Sequence, residues 1–214
     1  MNSFYNKIKV FLGVEEKEIN PILSLFLDKK CVFFHIPKTA GISISNALFG
    51  DVKWGHRSVN FYKSHYGEKV FNSLYKFCFV RNPYDRLFSA YTFLKEGGIN
   101  NQDLEFSNSY LQEFASFDEF VLKGLEKEEI MNWVHFKPQY TFVCDENDNI
   151  VMDFIGKMEN LKADFNTVCK HLNIESELQK LNMSATKKND FSEEVKTMIK
   201  IKYQKDFNLF YPDL

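Results

Sequence analysis

Cysteine is scarce in this chain of 214 residues, with four in all: Cys31, Cys78, Cys144 and Cys169. None stands in a C-x-x-C pair, which argues against a disulfide framework or a zinc site and leaves reduced packing residues. An excess of charge is also missing: 27 Lys+Arg face 29 Asp+Glu, for a net charge of -2. A general nucleic-acid binder would be more basic, so any anion site must be local. Long apolar runs are absent, the longest early one being "PILSLFL", far short of the roughly 20 residues that cross a bilayer. The start, "MNSFYNKIKVFLGVEEKEIN", shows no signal-peptide core, so the expectation is a soluble, cytoplasmic protein with no transmembrane segment. No internal repeat or low-complexity stretch occurs.

What is present is apolar and aromatic: 44% hydrophobic residues, 16% aromatics and 23 Phe, the composition of a well-buried globular chain. Residues 1–29 read as an N-terminal arm or short helices, and 30–214 as one domain. "CVFFHI" (31–36) and "YKFCFV" (75–80) are short, continuous, β-branched and aromatic, as buried strands are. Each runs into a helix-like segment, 41–49 after the first and "NPYDRLFSAYTFLKEGG" after the second, with Pro83 at the first turn and Gly97-Gly98 at the end. Residues 99–112 read as a surface loop. Ser116 to Glu119 is a capping-box pattern opening a helix. "TFVCDENDNIVMDFIG" reads as two strands around a polar turn, "ENLKADFNTVCKHLNI" as an amphipathic helix, and the stretch from Ser192 to the end of "KDFNLF" as the last helix. Two strand-turn-helix units and further helices predict an α/β fold: three layers, P-loop-like, with a mainly parallel central sheet.

The chemistry gathers at the ends of the two strands. "PKTAGIS" (37–43) turns directly into a helix whose first N–H groups and dipole favour an anion. Lys38 supplies charge, Ala40 and Gly41 allow close approach, and Thr39, Ser43 and Ser45 carry hydroxyls. The nucleotide P-loop pattern G-x-x-x-x-G-K-[ST] is absent, since Lys38 precedes Gly41. Only Asp153, in a weak context, stands as an acidic magnesium ligand, so no metal is expected. In "FVRNPYDRLFSAY", Arg81 leaves the strand with a fork suited to phosphate, and Ser89 follows eight residues on. The alternative for Arg81 is an ion pair with Asp85 that merely fixes the turn.

"FFHIPKTAGISIS" followed by "FVRNPYDRLFSAY" resembles the sulfotransferase family that includes the heparan-sulfate and chondroitin carbohydrate sulfotransferases. "HFKPQYTFV", "IVMDFIGKMENLKADF" and "YQKDFNLF" extend the likeness over roughly residues 30–212 and to bacterial-type members. The resemblance implies 3'-phosphoadenosine 5'-phosphosulfate as donor, a carbohydrate hydroxyl as acceptor and no metal. It implies that Lys38, Thr39, Ala40, Gly41, Ile42 and Ser43 hold the 5' phosphosulfate. Arg81 and Ser89 would hold the 3' phosphate, with Thr186, Lys187 and Lys188 closing over the donor. The chain departs from the family's Pro-Lys-Thr-Gly-Gly-Thr-Ser in two places. Ala40 replaces a glycine, a small change if its backbone angles are ordinary, and Ile42 replaces a threonine.

Transfer to an alcohol also needs a base, and histidine suits that task near neutral pH. His56, in "WGHRS", resembles the Gly-His-x-Ser segment of the uronyl sulfotransferases and is the first candidate, with an acid limb expected at roughly pH 6 to 7.5. His135 is the second and reads better as an acceptor contact beside Trp54 and Arg57; Tyr62, Lys63 and Trp133 are further aromatic or basic candidates. His35 reads as a structural residue, His171 as a helix C-terminal partner, and Glu159 as a residue fixing a loop. The competing functions are a phosphoryl-transferring kinase of P-loop-like fold and a non-catalytic nucleotide-binding protein.

Overall fold

The computed structural model describes residues 21–52, 55–178 and 190–214. Helix α1 (Pro21–Asp28) buries Ile22, Leu23 and Phe26, each worth about 1.5–3 kcal/mol when fully covered. It feeds strand β1 (Cys31–Phe34), whose four residues are all buried. A strand without an exposed face must be covered on both sides. Helices α2 (Gly41–Phe49), α3 (Val59–Tyr66) and α4 (Glu68–Ser73) complete the crossover to β2 (Tyr75–Val80).

From β2 the chain enters α5 (Pro83–Lys95), with Asn82 as cap, its side chain accepting from the Tyr84 amide at 2.9 Å. Next come α6 (Asn101–Phe106), a π turn (Ser107–Leu111), α7 (Phe117–Lys123), the short α8 (Glu128–Met131) and α9 (Tyr140–Val143). Strand β3 (Phe154–Lys157) leads to α10 (Leu161–Leu172), and α11 (Glu193–Lys202) and α12 (Gln204–Phe210) close the described chain. The sheet has the order β1-β2-β3 and both pairings are parallel. Phe34 stands opposite Cys78, and Val80 opposite Lys157. The fold is therefore α/β with a parallel sheet between helices, and β2 at its centre. Parallel strands put all their C-terminal ends at one edge, which is where such folds bind ligands.

Three sequence expectations are corrected. Most of residues 99–112, from Asn101 to Leu111, is helical rather than a surface loop. Their buried positions, Asp103, Phe106, Ser107 and Leu111, are spaced as one helical stripe, but two of the four are polar, so no apolar period shows. "TFV" lies in the helix α9 rather than in a strand. The Asp206 carboxylate accepts from the amides of Gln139 at 2.7 Å and Tyr140 at 2.9 Å, capping a helix start from α12. The turn 145–149 is present but is flanked by one antiparallel bridge, Cys144 to Ile150. The final helix is broken at Tyr203, a buried residue whose hydroxyl donates to the Phe136 carbonyl at 2.7 Å.

Candidate active site

Lys38 and Ala40 both take left-handed backbone angles, with φ of 68° and 61°. Ala40 is the N-cap of α2 and offers no side-chain cap. Among the described residues, no acceptor serves the backbone amides of Lys38, Thr39, Ala40, Gly41 or Ile42. The angles of Ala40 are thus not ordinary, and the methyl group sits where glycine is at ease. Gly41 is required for a different reason: a Cβ there would lie 1.8 Å from the His35 ring. Thr39 is fully buried and its hydroxyl donates to the Ile36 carbonyl at 2.9 Å. It therefore shapes the loop with its side chain and offers its amide to the site. Ile42 is exposed and Ser43 buried.

Arg86 braces this loop. Fully buried, it donates through Nε to the Pro37 carbonyl at 3.0 Å and through its terminal nitrogen to the His135 carbonyl at 3.3 Å. The backbone of Arg81 is held by the Gln139 side chain, which accepts from its N–H and donates to its C=O, both at 2.9 Å. Glu159 fixes the next peptide, accepting from the Asn82 amide at 2.7 Å and from the Tyr211 hydroxyl at 2.9 Å. The turn needs no Arg81–Asp85 pair. Among the described residues, the Arg81 guanidinium makes no hydrogen bond and no close ion pair, though the charges of Asp85 and Glu159 reach it.

Lys38 and Arg81 lie within reach of each other's charge. Burial, then the positive charge of Arg81, pushes the Lys38 ammonium down to about 8, with Asp103 and Glu96 opposing. Its Nζ rests 3.8 Å from the centre of the Phe93 ring. Two cations within reach of each other's charge, one on an aromatic face and one without a bonded partner among the described residues, make a place suited to an anion.

Three imidazoles border it. The Nδ1 of His56 lies 2.7 Å from the His35 carbonyl. A carbonyl only accepts, so Nδ1 carries the proton and Nε2 keeps a bare lone pair. The rings of His35 and His56 are 4.4 Å apart, and those of His56 and His135 are 5.6 Å apart. Burial holds His56 at about 4, despite its carbonyl partner, and Arg86, Lys38 and Arg57 add to the depression. The expected acid limb near neutrality is therefore corrected downward. Burial likewise lowers His135 to about 3 and His35 well below the ordinary imidazole value.

The remaining candidates are more dispersed. Ser89 sits half-buried two turns into α5 and makes no hydrogen bond among the described residues. Arg57 is exposed and lies over Phe61 at 4.9 Å. Tyr62 is fully buried packing, Trp133 stacks on Phe106 at 4.2 Å, and His171 stacks on Tyr75 at 3.6 Å. Trp54, Thr186, Lys187 and Lys188 lie outside the described residues. Among the described residues no cluster of His, Cys, Asp or Glu fit to hold a metal occurs, and no helix is long and apolar enough to cross a membrane.

One residue at the site escaped the sequence reading: Asp103, buried at 3% exposure, with Oδ1 3.4 Å from Nε2 of His135. The signal that could have found it was the Gly97-Gly98 turn. Both glycines take positive φ, and a Cβ on Gly98 would lie 2.2 Å from that of Asp103.

Comparison with known proteins follows the same line. A family model described as "Sulfotransferase family" matches residues 25–212. An uncharacterized protein of Archaeoglobus fulgidus is 32% identical over 123 residues, covering 56% of this chain and 85% of the relative. No solved structure matches.

Proposed function

The chain belongs to the sulfotransferase family, and from that premise we propose that it moves a sulfuryl group from 3'-phosphoadenosine 5'-phosphosulfate to a carbohydrate hydroxyl. The observation that carries the reading is that Lys38 lies within charge reach of both Arg81 and a neutral His56 whose Nε2 is bare. Lys38 and the open amides at the start of α2 suit the 5' phosphosulfate. Arg81, with Ser89 and with Thr186, Lys187 and Lys188, suits the 3' phosphate. Residues 30–214 form the transfer domain in this reading, and 1–29 an N-terminal arm or short helices, of which Pro21–Asp28 is helix α1. The four free, buried cysteines support a reducing compartment, the cytoplasm.

In the proposed reaction His56 Nε2 takes the proton of the acceptor hydroxyl as its oxygen bonds to sulfur. The bond from sulfur to the 5' phosphate oxygen breaks, leaving 3'-phosphoadenosine 5'-phosphate and a sulfate ester. Lys38 and the α2 amides stabilise the charge that grows on the leaving oxygen, as preorganised donors do in other group transfers. His135 and Arg57 contact the acceptor, with Trp54 as a further candidate.

The test is calorimetric titration with 3'-phosphoadenosine 5'-phosphate and with adenosine 5'-phosphate, with and without magnesium. Arg81→Ala is expected to weaken the bisphosphate by about 1.5–3 kcal/mol, the scale of a charged hydrogen bond, and the monophosphate much less. Equal losses for both ligands would make Arg81 a folding residue. Binding of a nucleoside triphosphate only with magnesium would favour the kinase reading.

A further inference from the structure

Arg86 and Phe93 stand two helical turns apart on one stripe of α5, and they hold consecutive residues of the β1–α2 turn. Arg86 Nε donates to the Pro37 carbonyl at 3.0 Å. The next residue, Lys38, lays its ammonium 3.8 Å from the centre of the Phe93 ring. Cation–π contacts extend to about 6 Å, so this one is close. Lys38 needs such support, since its φ of 68° is disfavoured for a residue other than glycine. The Phe93 ring is in turn packed on the His135 ring, 5.1 Å between centres.

Two carboxylates compete for that ammonium. Asp103 on α6 and Glu96 at the end of α5 both reach it with their charge, against the opposing charge of Arg81. Neither bonds to it. Asp103 is occupied elsewhere, with Oδ1 3.4 Å from His135 Nε2, and with Oδ2 accepting from the Asn100 side chain at 3.0 Å and the Ile99 amide at 3.4 Å. Glu96 is exposed. His56 and His135, within reach of Lys38, are held neutral and exert no pull. A carboxylate in the place of the ring would cancel the charge that an anionic ligand needs. An aromatic face holds a cation through its quadrupole and carries no net charge.

We propose that Phe93 is the positioning residue of Lys38: its ring keeps the ammonium off Asp103 and Glu96 and leaves its charge uncancelled for the incoming phosphosulfate. The ring engages only the side of the ammonium turned toward it, and the other N–H bonds remain for the anion. The contact is also weaker than a charged hydrogen bond to phosphate, so it steadies Lys38 without withholding it. The inference rests on the sulfuryl-transfer reading for its ligand and on geometry alone for the contact.

The test on the full chain replaces Phe93 by mono-, di- and trifluorophenylalanine, which keep the shape of the ring and weaken its quadrupole in steps. Transfer from 3'-phosphoadenosine 5'-phosphosulfate is expected to slow stepwise along the series, by about 2–30-fold in kcat at its end. Phe93→Leu should lose a similar factor, and adding Glu96→Gln to it should restore part of the rate by removing one competing carboxylate. A kcat flat across the fluorinated series, or a double variant no faster than Phe93→Leu, overturns the proposal. Proton NMR reads the contact without turnover. The ε-methylene protons of Lys38 are expected upfield in the free wild type, under the ring current, and at ordinary shifts in Phe93→Leu. Ordinary shifts in the wild type overturn it as well. Should the wild type transfer no sulfate, the transfer reading fails, and the fluorinated series is read on calorimetric affinity for 3'-phosphoadenosine 5'-phosphate. A stepwise loss of affinity then upholds Phe93 as the anchor of Lys38, and a flat one overturns it.

Discussion

His56 is a weak base by the measure of its surroundings. Burial and three cations hold it at about 4 in the free protein, so it is neutral throughout the physiological range. The sign of its pH dependence follows. The kcat/KM profile, which reports free enzyme, should lose activity only as pH falls through about 4. A bound donor brings negative charge against Lys38, one of the cations depressing His56, so its pKa rises in the complex. The kcat limb should therefore lie at higher pH than the kcat/KM limb. His56→Ala should remove the limb and slow transfer by about 10²–10⁴, with bisphosphate affinity retained. A limb that persists in His56→Ala would move the base elsewhere. Sequence made Lys38, Arg81 and His56 legible because each stands at a strand end or in a short motif. Asp103 and Arg86 were not, since their roles depend on partners such as His135 and Pro37, tens of residues away.

The element that sets the chemistry is the β1–α2 turn. Ala40 in the left-handed region is strained, and glycine there would relieve it. Ala40→Gly is expected to raise stability by about 1 kcal/mol in denaturant unfolding, without loss of bisphosphate binding. Gly41→Ala should do the reverse: its methyl would displace the His35 ring and disturb the carbonyl that fixes His56. If Ala40→Gly is destabilising, the loop does not hold the angles described. Both strands and the helices after them could be read from apolar runs and caps, because those signals are local. Helix α6 and the π turn after it could not, since Asp103 and Ser107 occupy their buried stripe. Helix α9 was equally hidden, because its N-terminal amides are accepted by Asp206, 66 residues further along the chain.

At the scale of the whole molecule, three imidazoles are enclosed around one sheet edge, and all three are held low by burial. The unfolded chain takes up protons near the ordinary histidine value of about 6.5, while the folded chain does not until far lower. Stability contributed by the neutral rings is thus fully present above that value and declines as pH falls through about 4. Asp103 and Asp206, whose carboxyls burial pushes up, act in the opposite sense over the carboxylate range. Urea unfolding at stepped pH should show a falling midpoint below about pH 6, and His135→Gln should flatten that slope. A midpoint independent of acid would mean that the imidazoles are open to water. The parallel sheet was legible in the sequence as alternating strands and helices; that Lys38 and Arg81, at the ends of neighbouring strands, reach each other's charge required the register of β1 on β2. The most direct test of the central claim is transfer of radiolabelled sulfate from 3'-phosphoadenosine 5'-phosphosulfate to a carbohydrate panel, in excess chelator, by wild type and Lys38→Ala. The account predicts labelled sugar from the wild type without any metal, and a kcat lower by about 10²–10³ for Lys38→Ala. Label that stays on the nucleotide, or a transfer that Lys38→Ala leaves untouched, would contradict it.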